Sequence, residues 1–317
     1  MDWFTDLFYS AQQWLFVTLV RPLVFALDLG VRMEDAFEAT VWLLVGLVQI
    51  AILLVLGNAV QRWRPVQTIR DRQAVRVDVI YTLVHRLGLF RLLMFFTLMP
   101  WLDDLFGVLR VAGMPSLVLD DLWPGVTDRP WVSLLLYLLM FDFADYWIHR
   151  GQHHFEWWWR LHALHHAQRE LTMWSDNRNH LLDDVIRDFI VAGLAYLVGV
   201  APGQFVAIVA FTQLSESFQH ANVRLWFGRW GERLWISPRF HRRHHSVGIG
   251  HESPGRTLGG ANFGVLLPWW DMLFGTADFQ LRYDPTGVRD QVEQGRDYGG
   301  GFWDQQWQGI RRLLGRA

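Results

Sequence analysis

The sequence predicts an all-α protein with several membrane-spanning helices. Of its 317 residues, 51% are hydrophobic, 15% are aromatic and 19 are tryptophan. Long apolar segments alternate with charged ones, which is typical of a polytopic membrane protein. The formal net charge of −2 gives no indication of nucleic-acid binding. Because the chain has no cysteine, any bound metal must be held by histidine with aspartate or glutamate.

The charge pattern of the first half predicts an orientation in the membrane. Residues 41–60 carry no charge and predict a span. Residues 61–76 contain five arginines against one aspartate, so the positive-inside rule places them in the cytoplasm. Residues 77–101 then predict a return span, and the acidic loop 102–130 is expected outside. Residues 131–148 cross back, so the histidine-rich segment after them is expected on the cytoplasmic side.

The remaining segments complete one integral domain. Residues 185–219 are an apolar helical hairpin with Pro202-Gly203 near its middle, which is expected to dip into the membrane and return. The N-terminal segment 7–30, split by Arg21-Pro22, predicts either a kinked span or an interfacial helix. A polar tail is expected to end in a surface helix, packed on the cap or the membrane, with Trp303, Trp307, Ile310 and Leu314 on one side. The expected regions are residues 1–130, 131–277 and 278–317.

Three histidine clusters are the strongest functional signal. Their spacings are H-x3-H, H-x2-HH and H-x2-HH, and residues three or four apart share one face of a helix. Each cluster can therefore direct its imidazoles at one point, and neutral imidazole is a common ligand of Zn, Fe, Cu and Ni. Because about four to six ligands saturate one ion, two ions are expected. The eight residues are His149, His153, His162, His165, His166, His241, His244 and His245.

Two further histidines are candidate ligands. His180 lies between the second cluster and the hairpin, and His220 ends the hairpin. Each is either a ligand or a hydrogen-bonded neighbour of the ligands. His85 is expected to be a buried, hydrogen-bonded residue, and His251 a loop residue. Since the topology brings all three clusters to one side, the predicted fold is a helical membrane domain with a cytoplasmic, histidine-rich two-metal cap.

Two aspartates precede the first cluster on the same helical face. Asp145 lies four residues before His149, and Asp142 lies three before Asp145. A carboxylate beside a metal-bound imidazole usually fixes its tautomer, so Asp145 is predicted to support His149. The alternative is that the two aspartates pair with arginines such as Arg150.

Three motifs together resemble the fatty acid hydroxylase superfamily, which includes sterol desaturases, sphingolipid hydroxylases and alkylglycerol monooxygenase. They are D-x-x-D-Y-W-x-H-R-x-x-H at 142–153, LHALHH at 161–166, and HRRHH at 241–245 followed by NFGVLLPWWDMLFGT at 262–276. The resemblance covers residues 135–277. It implies a non-haem di-iron site, in which zinc can substitute, that uses O2 to hydroxylate or desaturate an aliphatic C–H position of a lipid.

The resemblance also implies roles for particular residues. The eight clustered histidines carry over as ligands, and His180 and His220 join them as further candidates. Asn262 and Asp271 are expected to shape the loop and helix below the third cluster. Asp145 and Asn262 are the predicted catalytic residues beside the ligands.

The resemblance further predicts partners and a location. The lipid is expected to enter from the bilayer, and a separate electron-donor protein is expected because no haem domain is fused to the chain. The expected location is the bacterial inner (plasma) membrane with the metal site on the cytoplasmic side. The segment between His245 and Asn262 looks longer than in many family members and is either a lid, a donor-docking surface or a mobile surface loop.

One alternative remains at this stage: a non-redox metal-binding membrane protein, either a transporter or a sensor. A transporter would place its ligands near the middle of the bilayer on broken helices. The clusters here fall at or beyond the ends of helices, which argues against it.

Overall fold

The computed structural model describes residues 2–115, 117–248 and 259–316, and their regular structure is helical. In these residues β-pairing is limited to one isolated bridge between Ser246 and Thr286. The predicted all-α class is therefore confirmed. The α-helices, numbered in chain order, are α1 (Asp2–Leu15), α2 (Arg21–Ala26), α3 (Met33–Ile52), α4 (Asn58–Trp63), α5 (Arg72–Arg86), α6 (Leu89–Val111), α7 (Pro130–His154), α8 (Glu156–His166), α9 (Leu181–Val198), α10 (Pro202–Gln219), α11 (Gly228–Gly231), α12 (Pro238–His244), α13 (Trp269–Leu273), α14 (Arg289–Gln294) and α15 (Phe302–Leu313).

Among the described residues, two helical segments are long and apolar enough to cross a membrane, namely Ala36–Trp63 and Pro130–His154. The first runs from α3 into α4 through one π-helical turn, Leu53–Gly57, and contains the predicted span 41–60. The second is α7 and contains the predicted crossing 131–148. By length and composition, these two helices support the expectation of a membrane protein.

The structure divides the predicted return span over residues 77–101 between two helices. Helix α5 ends at Arg86 and α6 begins at Leu89. Gly88 between them has φ +76°, which glycine adopts without steric cost. The guanidinium of Arg86 is buried and donates hydrogen bonds to side chains of α3, α10 and the turn before α9. Because a buried charge requires such partners, the segment turns where Arg86 meets them.

The N-terminal segment, predicted to be either a kinked span or an interfacial helix, is helical through its arginine–proline pair. Helix α1 continues through one π-helical turn, Phe16–Val20, into α2. Pro22 lies in the first turn of α2, a position that proline tolerates. Gln12 Nε2 donates to the carbonyl of Phe37, so α1 packs on α3.

Helices α9 and α10 form the apolar hairpin and pack on α7. They are joined at residues 199–201, where Gly199 has the left-handed φ of +63°. Tyr137 and Phe141 of α7 form an apolar cluster with Val198 and Ile208 of the hairpin. This packing brings the polar ends of α7, α9 and α10 together at one end of the cluster.

The C-terminal helix α15 packs on the rest of the protein with its polar side. Trp303 and Trp307 of the predicted apolar side are 75% and 62% exposed. The close approach occurs at Gly309, where an added Cβ would lie 2.2 Å from the ring of His180. The residues of α15 that are buried are Gln305, Gln306, Gly309 and Arg312.

Candidate metal centre

Nine histidines from four helices meet in one buried cluster. Helix α7 contributes two, α8 contributes three, and α12 with its C-terminal cap contributes three. The ninth, His220, caps the C-terminus of α10. Each of the nine is at most 8% exposed. They are His149, His153, His162, His165, His166, His220, His241, His244 and His245.

Eight of the nine side chains form two groups of four. In each group every histidine offers one nitrogen, and these nitrogens lie within 4.8 Å of one another. His166, His244 and His245 form a third set at the same spacing, and this set joins the two groups. The first group is His149, His153, His162 and His166, and the second is His165, His220, His241 and His245.

The spacing of the ring nitrogens fits metal ligation. The Nε2 atom of His220 lies 3.2 Å from that of His165 and 3.1 Å from that of His241. The Nε2 atoms of His244 and His166 are 3.2 Å apart. Two nitrogens held about 2.0–2.1 Å from one ion are separated by about 2.9–3.4 Å, between octahedral and tetrahedral geometry. The donor atoms therefore stand at the separation that a shared ion requires.

Backbone carbonyls fix which nitrogen of three rings faces the cluster. Nδ1 of His149 lies 2.8 Å from the carbonyl of Phe263, and Nδ1 of His244 lies 2.8 Å from the carbonyl of Ala261. Nδ1 of His220 lies 2.7 Å from the carbonyl of its own helix at Glu216. A carbonyl only accepts, so each Nδ1 carries the proton and each Nε2 offers a lone pair to the cluster.

Burial favours the neutral form of five rings of the cluster. Desolvation, and then the neighbouring imidazoles, hold the pKa values of His165, His166, His241 and His245 well below the usual 6.5. Desolvation lowers the pKa of His244 to about 3. Neutral imidazole is the form that binds a metal, so these residues are ready to ligate at neutral pH.

Asp183 supports His162, a role that no sequence motif indicated. Its Oδ2 lies 3.1 Å from Nδ1 of His162, and its Oδ1 accepts from Gln152 and Trp158 at 2.8 and 2.6 Å. Asp183 lies in the first turn of α9, where the helix dipole favours a negative charge. The only local signal is its place in the Asp-Asp pair that begins α9.

Asp145 does not support His149, so that prediction is wrong. Its Oδ1 accepts a hydrogen bond of 2.8 Å from Arg187, while Nδ1 of His149 is taken by the Phe263 carbonyl. Asp142 contacts neither a histidine nor an arginine. It accepts from the backbone N–H groups of residues 266 and 267 and from the indole of Trp270.

His180 lies outside both groups. Its Nδ1 accepts from the N–H of Leu182 and caps α9, and its Nε2 lies 2.9 Å from the carbonyl of Gln306. Both nitrogens are therefore engaged away from the cluster. The prediction that His180 is a ligand is therefore wrong. His180 caps α9 and joins it to α15.

Asn262 holds the backbone and does not face the cluster, which corrects its prediction as a catalytic residue. It has φ +62° and is fully buried. Its Nδ2 donates to the carbonyls of Phe240 and Asp278, and its Oδ1 accepts from the N–H of Asp278. Asp271 accepts from the N–H of Phe263 and so fixes the carbonyl to which His149 is bonded.

Two other predicted histidines lie apart from the cluster. His85 packs on Phe90 and its Nε2 lies 3.4 Å from Oδ2 of Asp184. His251 and most of the long loop, residues 249–258, lie outside the described residues.

A cavity opens beside the cluster. Its walls come from α7, α8, α9, α10 and α12, and five of the nine histidines face it. Those five are His149, His162, His165, His220 and His241. The cavity is small, with about 70 Å³ of space for water-sized groups.

The fold and the cluster define a helical protein with a buried polyhistidine centre, and the comparisons show what this region is similar to. The family model described as fatty acid hydroxylase matches residues 134–276. This match, over somewhat less than half of the chain, confirms the resemblance seen in the motifs.

Curated relatives agree with the family. The chain is 30% identical to an ornithine lipid hydroxylase of Rhizobium tropici over 55% of this chain and 50% of the relative. It is 26% identical to a Delta(7)-sterol 5(6)-desaturase of Aspergillus fumigatus, over 49% and 52% respectively. An alkylglycerol monooxygenase of Caenorhabditis elegans is 26% identical over 57% and 34%. The chain thus spans about half the length of the first two relatives, and no solved structure matches it significantly.

Proposed function

We propose that the protein is a membrane oxidoreductase that uses O2 and two iron ions to hydroxylate or desaturate an aliphatic C–H position of a lipid. The observation that carries the proposal is the pair of four-histidine groups within the fatty acid hydroxylase region. Iron bound there supplies the oxidising power that amino-acid side chains lack. Zinc is expected to occupy the same nitrogens without supporting the reaction.

The proposed reaction balances with an external donor. In hydroxylation the C–H carbon gains one oxygen atom of O2, and the other leaves as water with two electrons and two protons. In desaturation the same two electrons and two protons, with two hydrogens from the lipid, reduce O2 to two waters. The electrons come from a separate electron-donor protein, which is part of the proposal.

The protein's own part is to hold the ligands and keep the reaction site dry. The carbonyls of Phe263 and Ala261 fix the rings of His149 and His244. Asp183 accepts from Nδ1–H of His162 and so favours the tautomer whose Nε2 can bind a metal. Two ions that each bind about six ligands offer about twelve positions. Nine imidazoles would not fill them, so a position would remain for a further ligand.

The arginine-rich segment supports a cytoplasmic position for the centre. It lies against the histidine-bearing region, since the N–H groups of Arg70 and Asp71 donate to Glu170 at 2.6 and 2.9 Å. Asn222, two residues after His220, accepts from the N–H of Gln67 at 3.1 Å. The arginines and the centre thus share a side, which the positive-inside rule assigns to the cytoplasm. We propose a bacterial inner membrane as the location.

Comparative lipid analysis tests the proposal. The gene is deleted in its host, and the strain is complemented with wild type or with the double variant His165→Ala/His166→Ala. The proposal predicts a lipid that gains one oxygen or loses two hydrogens only with wild type. Unchanged lipids, with full expression and two bound metal ions per chain, would instead favour the non-redox alternative.

A further inference from the structure

The outward side of α15 carries an exposed apolar stripe. Trp303, Trp307 and Leu314 are exposed, and Ile310 between them is half-buried. At 3.6 residues per turn these four positions lie within about 60° of one another around the helix, so they form one continuous surface. We call these four side chains the tryptophan stripe. Contiguous exposed apolar surface beside polar residues is typical of a site that meets a partner or a membrane.

The buried side of α15 is fixed to the protein by polar contacts. Nε2 of Gln306 donates to the hydroxyl of Tyr81 at 2.9 Å and to the carbonyl of Asn179 at 3.1 Å. Nε of Arg312 donates to the carbonyl of Arg160 at 3.2 Å. These buried groups would lose their hydrogen bonds if the helix rotated, so the tryptophan stripe is held facing outward.

Helix α15 lies across the start of the apolar hairpin. At its first end, Nε2 of Gln73 on α5 donates to the carbonyl of Gly300 at 3.1 Å. At its last end, Nη1 of Arg160 on α8 donates to the carbonyl of Leu313 at 3.4 Å. Between these ends, Oε1 of Gln306 accepts from the N–H of the first residue of α9 at 2.8 Å. The helix therefore bridges α5 and α8 at the point where α9 begins.

Exposed apolar side chains continue from α15 onto α9 and α5. Leu182, which follows the residue bonded to Gln306, is exposed, and Phe189 is exposed further along α9. On α5, Ile80 and Leu83 are exposed. Both helices lie in segments expected to enter the membrane, where such side chains contact acyl chains. The tryptophan stripe thus adjoins the surface that α5 and α9 offer to lipid.

The rest of the exposed side of α15 is polar. Asp304, Gln308 and Arg311 are exposed or half-buried and are centred about 100° from the tryptophan stripe around the helix. The helix therefore has one side on the protein, one apolar side and one polar side. A helix that lies flat on a bilayer has this division, because its apolar side meets acyl chains and its polar side meets water. Tryptophan is also enriched at the headgroup level of membranes.

We propose that α15 is an in-plane membrane helix whose tryptophan stripe inserts into the bilayer surface beside the start of α9. Such helices bury their apolar side about 5–10 Å into the boundary between headgroups and acyl chains. The inference requires the two apolar helices, Ala36–Trp63 and Pro130–His154, to span a membrane. It does not require the oxidation of a lipid, so it goes beyond the proposed function and can hold without it.

Spin labels at single cysteines test the depth of the stripe. The chain has no cysteine, so Trp307→Cys and Leu314→Cys each carry one label, and both replaced side chains are exposed. Gln308→Cys is the matched control on the polar side of α15. Val48→Cys on α3 reports the membrane interior, and Gln294→Cys on the charged helix α14 reports water.

The labelled protein is loaded with Zn²⁺, which is diamagnetic, and placed in a lipid bilayer. Electron paramagnetic resonance compares collisions of each label with O2, which concentrates in lipid, and with a water-soluble nickel complex. Labels at positions 307 and 314 are expected to collide more with O2, as at position 48. Labels at positions 308 and 294 are expected to collide more with nickel.

Two results would overturn the proposal. One is a preference for nickel at both stripe positions, which would place the stripe in water. The other is protection of both positions from both reagents with dipolar broadening between labels, because a second copy of the chain would then cover the stripe.

The label on α3 separates this inference from the membrane assignment itself. If position 48 meets O2 and the stripe meets nickel, only the in-plane helix fails. If position 48 also meets nickel, the predicted membrane span fails and the in-plane helix fails with it. Neither result depends on whether a lipid is oxidised.

Discussion

At the scale of single residues, the grouping of the clustered histidines could be predicted, and the contacts that hold their rings could not. Ligand spacing is local: positions three and four apart on one helix face the same way, whatever the helix packs against. The support of His149 comes instead from Phe263, 114 positions away, through a carbonyl that every residue type carries. Asp145 has the expected helical spacing but a different neighbour, Arg187, on another helix. Local spacing gives no information on such contacts.

Asp183 is the carboxylate whose loss should release metal. Asp183→Asn removes the negative charge beside Nδ1 of His162 and is expected to weaken metal affinity by about 10–100-fold. Asp145 bonds Arg187 and none of the clustered histidines, so the matched variant Asp145→Asn is expected to retain the metal. Chelator competition followed by elemental analysis measures both. If Asp145→Asn lost more metal than Asp183→Asn, Asp145 and not Asp183 would be the carboxylate that supports the metal site.

At the scale of elements, apolar composition predicted the helices but not their breaks or their buried sides. The break between α5 and α6 depends on partners for Arg86 that come from three distant segments. The side of α15 that packs inward is polar because Gly309 leaves room for His180 and because Gln306 bonds both Tyr81 and Asn179. An amphipathic pattern shows which residues share a side, not which side meets the protein.

Gly309 provides a test of how α15 docks. By helix propensity alone, Gly309→Ala would stabilise the protein by about 1 kcal/mol. The structure predicts the opposite, a lower melting temperature, because the new Cβ would lie 2.2 Å from His180. Gly107→Ala in the exposed part of α6 meets no atom within 4 Å and is the control, expected to be neutral or stabilising. The melting temperatures of both variants are measured by thermal unfolding in detergent. A higher melting temperature for Gly309→Ala would refute the packing of α15 on His180.

At the scale of the whole molecule, the nine histidines bring four helices together in one buried cluster. Neutral imidazoles lose their hydrogen bonds to water when buried, and bound ions would replace those bonds. The all-α class and the family were predictable because they depend on composition and on repeated motifs. The division into three regions remains a prediction, as does the number of membrane crossings beyond the two apolar helices.

Metal removal should therefore destabilise the fold. Treatment with a chelator at neutral pH is expected to lower the melting temperature by several degrees, since a ligand bound to the native state alone stabilises it by mass action. Either Fe²⁺ or Zn²⁺ should restore the melting temperature, while only iron should restore lipid oxidation. An unchanged melting temperature after complete metal removal would show that the histidine cluster is stable without ions.

The most direct test of the central claim is oxygen transfer at the histidine centre. The iron-loaded protein is placed in a bilayer of its host's lipids with reductant and exposed to ¹⁸O2. The masses of the lipids are then measured by mass spectrometry. The account predicts a lipid carrying one ¹⁸O atom, or one lacking two hydrogens with ¹⁸O in water. His165→Ala should give neither, and should bind less iron. Wild-type turnover and full iron loading in His165→Ala would contradict the assignment of the centre.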